Sequence, residues 1–239
     1  MTEIFAFWII IMLKQVHHTE QHEWKDSAHA HFQRWAHHYD RDIINVLLFK
    51  PCHQRVLAEL RQGKRRGLKP IRVLDVGCGT GNLLIQSLRL GSHVQSGVGI
   101  DMSDNMIDYA REKVEAMKLA GKLSFMVGDA EHLPFPDNSF DVVTCCNSFH
   151  HYPHQDRAVS EALRVLDNNG RYLLIDGYRD DPLGHFIFDI CVTRAENHVH
   201  HCSVQRFRNL LNDAGFVKVK QNVFGVCPPA IMNIAYAEK

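Results

Sequence analysis

The sequence predicts an α/β protein with a doubly wound parallel sheet, and three observations predict it. Strand-like and helix-like patterns alternate from residue 71 onward. A turn with glycine at alternate positions, Gly77, Gly79 and Gly81, joins the first strand to the first helix. A second strand ends in an acid, Asp101, twenty positions past Gly81. Strand, glycine-rich turn, helix, strand, acid is the order of a nucleotide-binding α/β unit, in which the acid accepts ribose hydroxyls. Glycine permits positive φ and lets a ligand approach the backbone, while the helix that follows offers amide donors and a positive dipole end.

The elements follow in order. Residues 17–38 are histidine-rich and helical in pattern, and a second helical pattern covers about 42–61, divided or kinked at Pro51. Strands are expected near 71–76, 96–101, 122–127, 140–146 and 171–177, with helices near 81–90, 104–119 and 155–166. Turns fall at Gly121, Pro136-Asp137-Asn138 and Asp167-Asn168-Asn169-Gly170. Alternation of this kind gives a parallel sheet covered on both faces. It lapses after Gly177 until a helix near 203–213 capped by Ser203, and strands near 216–223 and 231–238 close the chain.

Composition narrows the function. A chain of 239 residues buries a sizeable core, and Lys plus Arg equals Asp plus Glu at 27 each, without the basic footprint of a nucleic-acid enzyme. The run Gln62–Lys69 reads as a solvated linker. Seven cysteines form no C-x-x-C pair, so a reducing cytoplasm is the expectation. The apolar run Ile4–Leu13 is too short to span a bilayer and lacks the basic flank of a secretory signal. It reads as a helix over the active site, as an interfacial membrane anchor, or as an over-extended start with Met12 as the true first residue.

The glycine spacing chooses among nucleotides. Dinucleotide folds use G-x-G-x-x-G, whereas this turn reads D-x-G-x-G-x-G with Asp75 at the strand tip, where a pyrophosphate would be repelled. At these residues the chain resembles the class I S-adenosylmethionine-dependent methyltransferases, in particular the small-molecule branch with the ubiquinone/menaquinone C-methyltransferases. The resemblance extends through Val127-Gly128-Asp129-Ala130-Glu131-His132-Leu133-Pro134-Phe135, Ser139–Val143, Arg164–Leu173 and Asp213-Ala214-Gly215-Phe216. It implies a Rossmann-like sheet, mostly parallel, with an antiparallel C-terminal edge hairpin. It also implies an N-terminal helical lid over residues 1–66, a methyltransferase domain over 67–239, and an acceptor-site insertion over 178–202.

The cofactor implied is S-adenosylmethionine, with S-adenosylhomocysteine as product. Gly77, Gly79 and Gly81 give the methionyl and ribose portions room, with Cys78 as a spacer and Asn82 opening the helix. Asp75 takes the ammonium and Asp101 the ribose diol. Met102 lies against the adenine, Asp129 and the Ala130 amide bond its edge, Asn147 lines the sulfonium site, and Tyr39 reaches in from the lid. A sulfonium methyl is already activated, so the protein mainly supplies in-line positioning. Where the acceptor is protonated, a base is drawn from His150, His151 and Tyr178, or more weakly His185.

No metal site is expected, because His200, His201 and Cys202 are adjacent and adjacent residues converge poorly on one ion. Vicinal Cys145-Cys146 reads as buried packing, with a thiol-dependent metalloid methyltransferase involving Cys191, Cys202 and Cys227 as a lesser alternative. Apolar residues in Phe186-Ile187-Phe188 and Val226–Met232 suggest a lipophilic small-molecule acceptor. No nucleic-acid partner and no membrane span are expected, and peripheral membrane contact stays open. The alternatives are a non-catalytic methyltransferase-fold protein that binds the cofactor product or a partner chain, and a dehydrogenase, against which the glycine spacing counts.

Overall fold

The computed structural model describes residues 43–65, 71–90, 93–195, 199–225 and 228–239. Tyr39, Cys227, the histidine-rich segment and the apolar N-terminal run lie outside them. Helix α1 (Ile43–Arg65) precedes strand β1 (Ile71–Val76), α2 (Asn82–Arg89), β2 (Val94–Asp101), α3 (Asp104–Ala116) and β3 (Leu123–Val127). Strand β4 (Phe140–Cys146) leads through a 3₁₀ turn at Phe149–His151 into α4 (Gln155–Val165) and β5 (Leu166–Gly177). After an irregular helical segment, α5 (Val204–Asp213), β6 (Val217–Phe224) and β7 (Ala230–Tyr236) complete the chain.

The seven strands form one sheet in the order β3-β2-β1-β4-β5-β7-β6. Strands β1 to β5 pair in parallel, while β7 runs antiparallel to both β5 and β6. The chain order reverses between β1 and β4, which is where open α/β sheets hold ligands beyond the carboxyl ends of their strands.

Side chains alternate across the sheet and so divide the interior into two cores. Leu74, Val76, Ile100, Val143, Cys145, Tyr172 and Leu174 face one core, closed by Val159 and Ala162 of α4 and by Phe207 and Leu211 of α5. Val73, Val142, Leu173 and Ile175 face the other, closed by Leu57 and Leu60 of α1, Leu84 of α2 and Ile107 and Ala110 of α3. Strands buried on both faces read as continuous apolar runs, which is why β1, β4 and β5 were recognisable from sequence. Residues 43–65, expected as part of a lid, thus contribute a wall of the core on one sheet face.

Three element boundaries differ from expectation. Helix α1 runs through Pro51 without a break. Strand pairing begins at Leu166, ahead of the expected turn, although Asn169 takes φ 63 and the pairing with β4 shifts register there. The segment after Gly177 is not structureless: Pro182–Gly184 and Thr193–Ala195 are helical and flank a π-helix at His185–Val192. Its N-terminus is capped by Asp181, whose Oδ1 accepts from the Gly184 amide at 2.6 Å. A π turn carries no 3.6-residue pattern, so the apolar run Phe186–Phe188 gave no helical signal.

The fully buried Leu74 tests this division of the interior. Leu74→Ala should lower the unfolding free energy by about 2–5 kcal/mol in urea titrations, the range for a leucine removed from a packed core.

Candidate cofactor site

Parallel pairing sets the strand tips side by side. Asp75 pairs with Gly99, Asp101 with Val127, and Cys146 with Ile175, so β3, β2, β1, β4 and β5 end along one edge. At these ends or just beyond them lie Asp129, Asp101, Gly77, Asn147 and Gly177. The Gly128 amide donates to the Asp101 carbonyl at 2.9 Å, and the Asn147 amide to the Ile175 carbonyl at 2.9 Å, which ties these loops to neighbouring strands.

The glycine turn folds back onto β2. The amides of Gly77 and Cys78 both donate to the Ile100 carbonyl, at 2.8 and 3.0 Å. The Gly79 amide donates to Asp101 Oδ2 at 2.8 Å and the Ser103 amide to Oδ1 at 2.9 Å, so both carboxylate oxygens are aimed by backbone. Ser103 itself caps α3 by accepting from the Met106 amide at 3.4 Å.

All three glycines take positive φ, at 69, 52 and 75°. Their surroundings differ. A methyl group at Gly77 would meet Ser148 Oγ at 2.2 Å, and at Gly81 the Phe125 ring at 2.5 Å. Beside Gly79 no atom lies within 4 Å of that position. Gly77 and Gly81 are therefore required by packing, and the room expected for a ligand lies at Gly79. Cys78 also packs, since a methyl group at Gly99 would meet its Sγ at 2.8 Å. Burial pushes its thiol well above the usual range, which fits a spacer and not a nucleophile. Asn82 opens α2 and its Oδ1 accepts from Lys113 Nζ at 2.8 Å.

Asp75 lies on the face of α1, α2 and α3, where Thr144, two residues after Val142, reaches it. Thr144 Oγ1 donates to Asp75 Oδ1 at 2.6 Å. Burial raises the Asp75 carboxyl to about 7 and the nearby Asp101 charge adds to this, while the Thr144 hydrogen bond opposes it. A buried carboxyl under that strain is stabilised by an incoming cation.

Asp129 accepts from the Glu131 amide at 2.9 Å, a local turn that orders the loop after β3. Met102 stands half-buried beside Asp101, and Ala130 is buried. Asn147 takes φ 56, a left-handed conformation that asparagine tolerates, and its Oδ1 lies 3.7 Å from the Cys52 thiol of α1.

The other sheet face carries the histidines. Asp176 follows Ile175 and so shares the face of Leu174, against α4 and α5. Its Oδ1 lies 2.7 Å from His150 Nδ1, and its Oδ2 accepts from the His150 amide at 2.9 Å. Burial would raise this carboxyl, but the charge and hydrogen bond of His150 outweigh it and hold it at about 2. The His150 nitrogen named as a base is thus directed at Asp176. His151 is half-buried, its ring 4.1 Å from that of His150. The Tyr178 amide donates to the Pro229 carbonyl at 3.0 Å and its half-buried ring packs on the core. His185 Nδ1 pairs with Asp189, which also accepts from Arg179 at 2.6 Å.

Sequence reading missed Thr144, and it placed Ser148, Tyr152 and Asp176 in the segments expected to supply a base without giving them roles of their own. Ser148 and Tyr152 share a hydrogen bond of 3.0 Å under Gly77. Their residue types carry no motif; only the pairing of β1 with β4 brings them to the turn. His201 was considered with its sequence neighbours alone, whereas its ring stacks on His150 at 4.5 Å between centroids.

The strand order, the glycine turn and the row of acids define a class: a Rossmann-like methyltransferase fold. Residues 74–174 match the family described as methyltransferase domain. It is 36% identical over 143 residues to the uncharacterized methyltransferase YcgJ of Bacillus subtilis, across 59% of this chain and 55% of that protein. It is 33% identical over 147 residues to the ubiquinone/menaquinone biosynthesis C-methyltransferase UbiE of Methylobacterium nodulans, across 61% of this chain and 57% of that protein. The chain therefore spans somewhat over half the length of these curated relatives. Among solved structures, YcgJ superposes with a TM-score of 0.64 at 21% identity, over 78% of this chain and 98% of that one. A SAM-dependent methyltransferase from Aquifex aeolicus gives 0.62 at 22% identity, over 87% and 97%.

Asp75→Asn should separate stability from binding. Between the unfolded carboxylate range near 4 and the folded value near 7, the native state holds a proton that the unfolded chain has released. Stability therefore falls as pH rises through that window. The asparagine variant should be more stable than the parent at pH 8, by up to a few kcal/mol, in thermal unfolding followed by circular dichroism.

Proposed function

We propose that the protein transfers a methyl group from S-adenosylmethionine to a small organic acceptor. The observation that carries this reading is the open space at Gly79, set between the buried Asp75 carboxyl and the backbone-aimed Asp101 carboxylate. When bound, S-adenosylmethionine supplies a methyl already activated on its sulfonium. The residues present suit it: Asp75 offers a carboxyl that gains from a cation, Asp101 is a carboxylate of the kind that accepts from a diol, and Asp129 lies at the next strand tip. Their work is to bind and orient, which alone is worth on the order of 7–11 kcal/mol in bringing reacting groups together.

The lipophilic character of the acceptor draws support from the quinone pathways named for the relatives rather than from the apolar residues first noted. Ile187, Phe188, Ala230, Ile231 and Met232 are buried in the fold. No helix among the described residues is long and apolar enough to cross a membrane.

Isothermal calorimetry with S-adenosylhomocysteine tests the reading, and failure to bind at millimolar ligand would reject it. Asp101→Ala should weaken binding by roughly 100- to 10,000-fold, since it removes two hydrogen bonds from ligand hydroxyls to a charged group at about 1.5–3 kcal/mol each. Affinity should rise as pH increases through about 7, as Asp75 ionises, and Asp75→Asn should flatten that dependence. Transfer of a radiolabelled methyl to a panel of small acceptors separates an enzyme from a protein that only binds the product.

A further inference from the structure

The histidine–aspartate cluster on the second sheet face holds an unmet demand. His201 is buried, its side chain only 2% exposed, and neither ring nitrogen has a hydrogen-bond partner. Each such nitrogen costs about 1–3 kcal/mol when left unpaired, and buried polar atoms in native proteins are overwhelmingly paired. The ring is clamped between His150, stacked at 4.5 Å, and Phe188 at 4.8 Å. Its Nδ1 lies 3.9 Å from Asp176 Oδ1, and that oxygen lies 2.7 Å from His150 Nδ1. Among the described residues, these three side chains form a group whose ligand atoms all fall within 4.8 Å of one another.

We propose that His150, Asp176 and His201 form a binding site for a divalent first-row transition cation, zinc being the ion best suited to two imidazoles and one carboxylate. Zinc bonds to nitrogen and oxygen of about 2.0–2.2 Å place tetrahedral ligands about 3.4 Å apart. The 2.7 Å contact must open by roughly 0.7 Å and the 3.9 Å contact close by roughly 0.5 Å, and the two stacked imidazoles must turn until their in-plane lone pairs converge, a movement about their side-chain torsions. The outer shell is already in place. The Gly177 amide donates to Asp176 Oδ1 at 2.7 Å and the His150 amide to Oδ2, which fixes the carboxylate in the way hydrogen bonds orient metal ligands. Water would complete the coordination. The ion would join the turn after β4, the end of β5 and the segment before α5. The site lies across the sheet from Asp75 and does not depend on cofactor binding.

The test uses the full chain, stripped with chelator and dialysed against low-micromolar free zinc. Seventeen histidines make surface binding certain to contribute, so stoichiometry is compared between variants. By metal analysis the parent should hold one more equivalent than His201→Phe, whose ring preserves the packing, and than Asp176→Asn. Equal stoichiometry in folded variants would overturn the proposal. If neither variant folds, anomalous diffraction from zinc-soaked crystals of the parent decides: a peak within about 2.3 Å of all three side chains sustains the site, and peaks only elsewhere refute it.

Discussion

The hydrogen bond from the Gly79 amide to Asp101 is the contact on which the glycine turn of this protein depends. It holds a turn of three positive-φ glycines against the end of the neighbouring strand and aims a carboxylate at the same time. Parallel pairing of β1 with β2 makes it geometrically available, because both strands must end at one edge for a turn leaving the first to reach the acid ending the second. The helix that follows then starts at that edge.

The sheet also separates two kinds of acid. Asp75 and Asp176 both end buried strands, yet one is pushed up to about 7 and the other held at about 2. Alternation along the strand is the reason. Asp75 shares its face with α1, α2 and α3, and finds a neutral threonine there. Asp176 faces α4 and α5, where the turn before α4 delivers a histidine backbone and ring together. The first is left wanting a cation; the second already has a partner, and a further imidazole beside it.

A glycine-rich turn invites the assumption that every glycine makes room for ligand. Here Ser148 and Phe125 fill the space at Gly77 and Gly81, so two of the three serve the protein's own packing. Binding and folding draw on the same backbone conformation, and substitution at those two positions would disturb the turn before it touched any ligand.

From the sequence alone came the strand-and-helix alternation, the positive-φ turn and the acids at the strand tips, because each is written in local residue order. Continuous apolar runs mark strands buried on both faces, and glycine marks backbone that other residues resist. What the sequence could not show was which distant residues meet. The bond between Asp75 and Thr144 and the meeting of His150 with Asp176 and His201 arise from strand order and side-chain alternation across segments far apart in the chain. The π-helix at His185–Val192 escaped for a related reason, since packing and not periodicity stabilises it. Local chemistry settled the fold class and the acids at the strand tips; only the folded sheet decided which face each acid serves and what stands beside it.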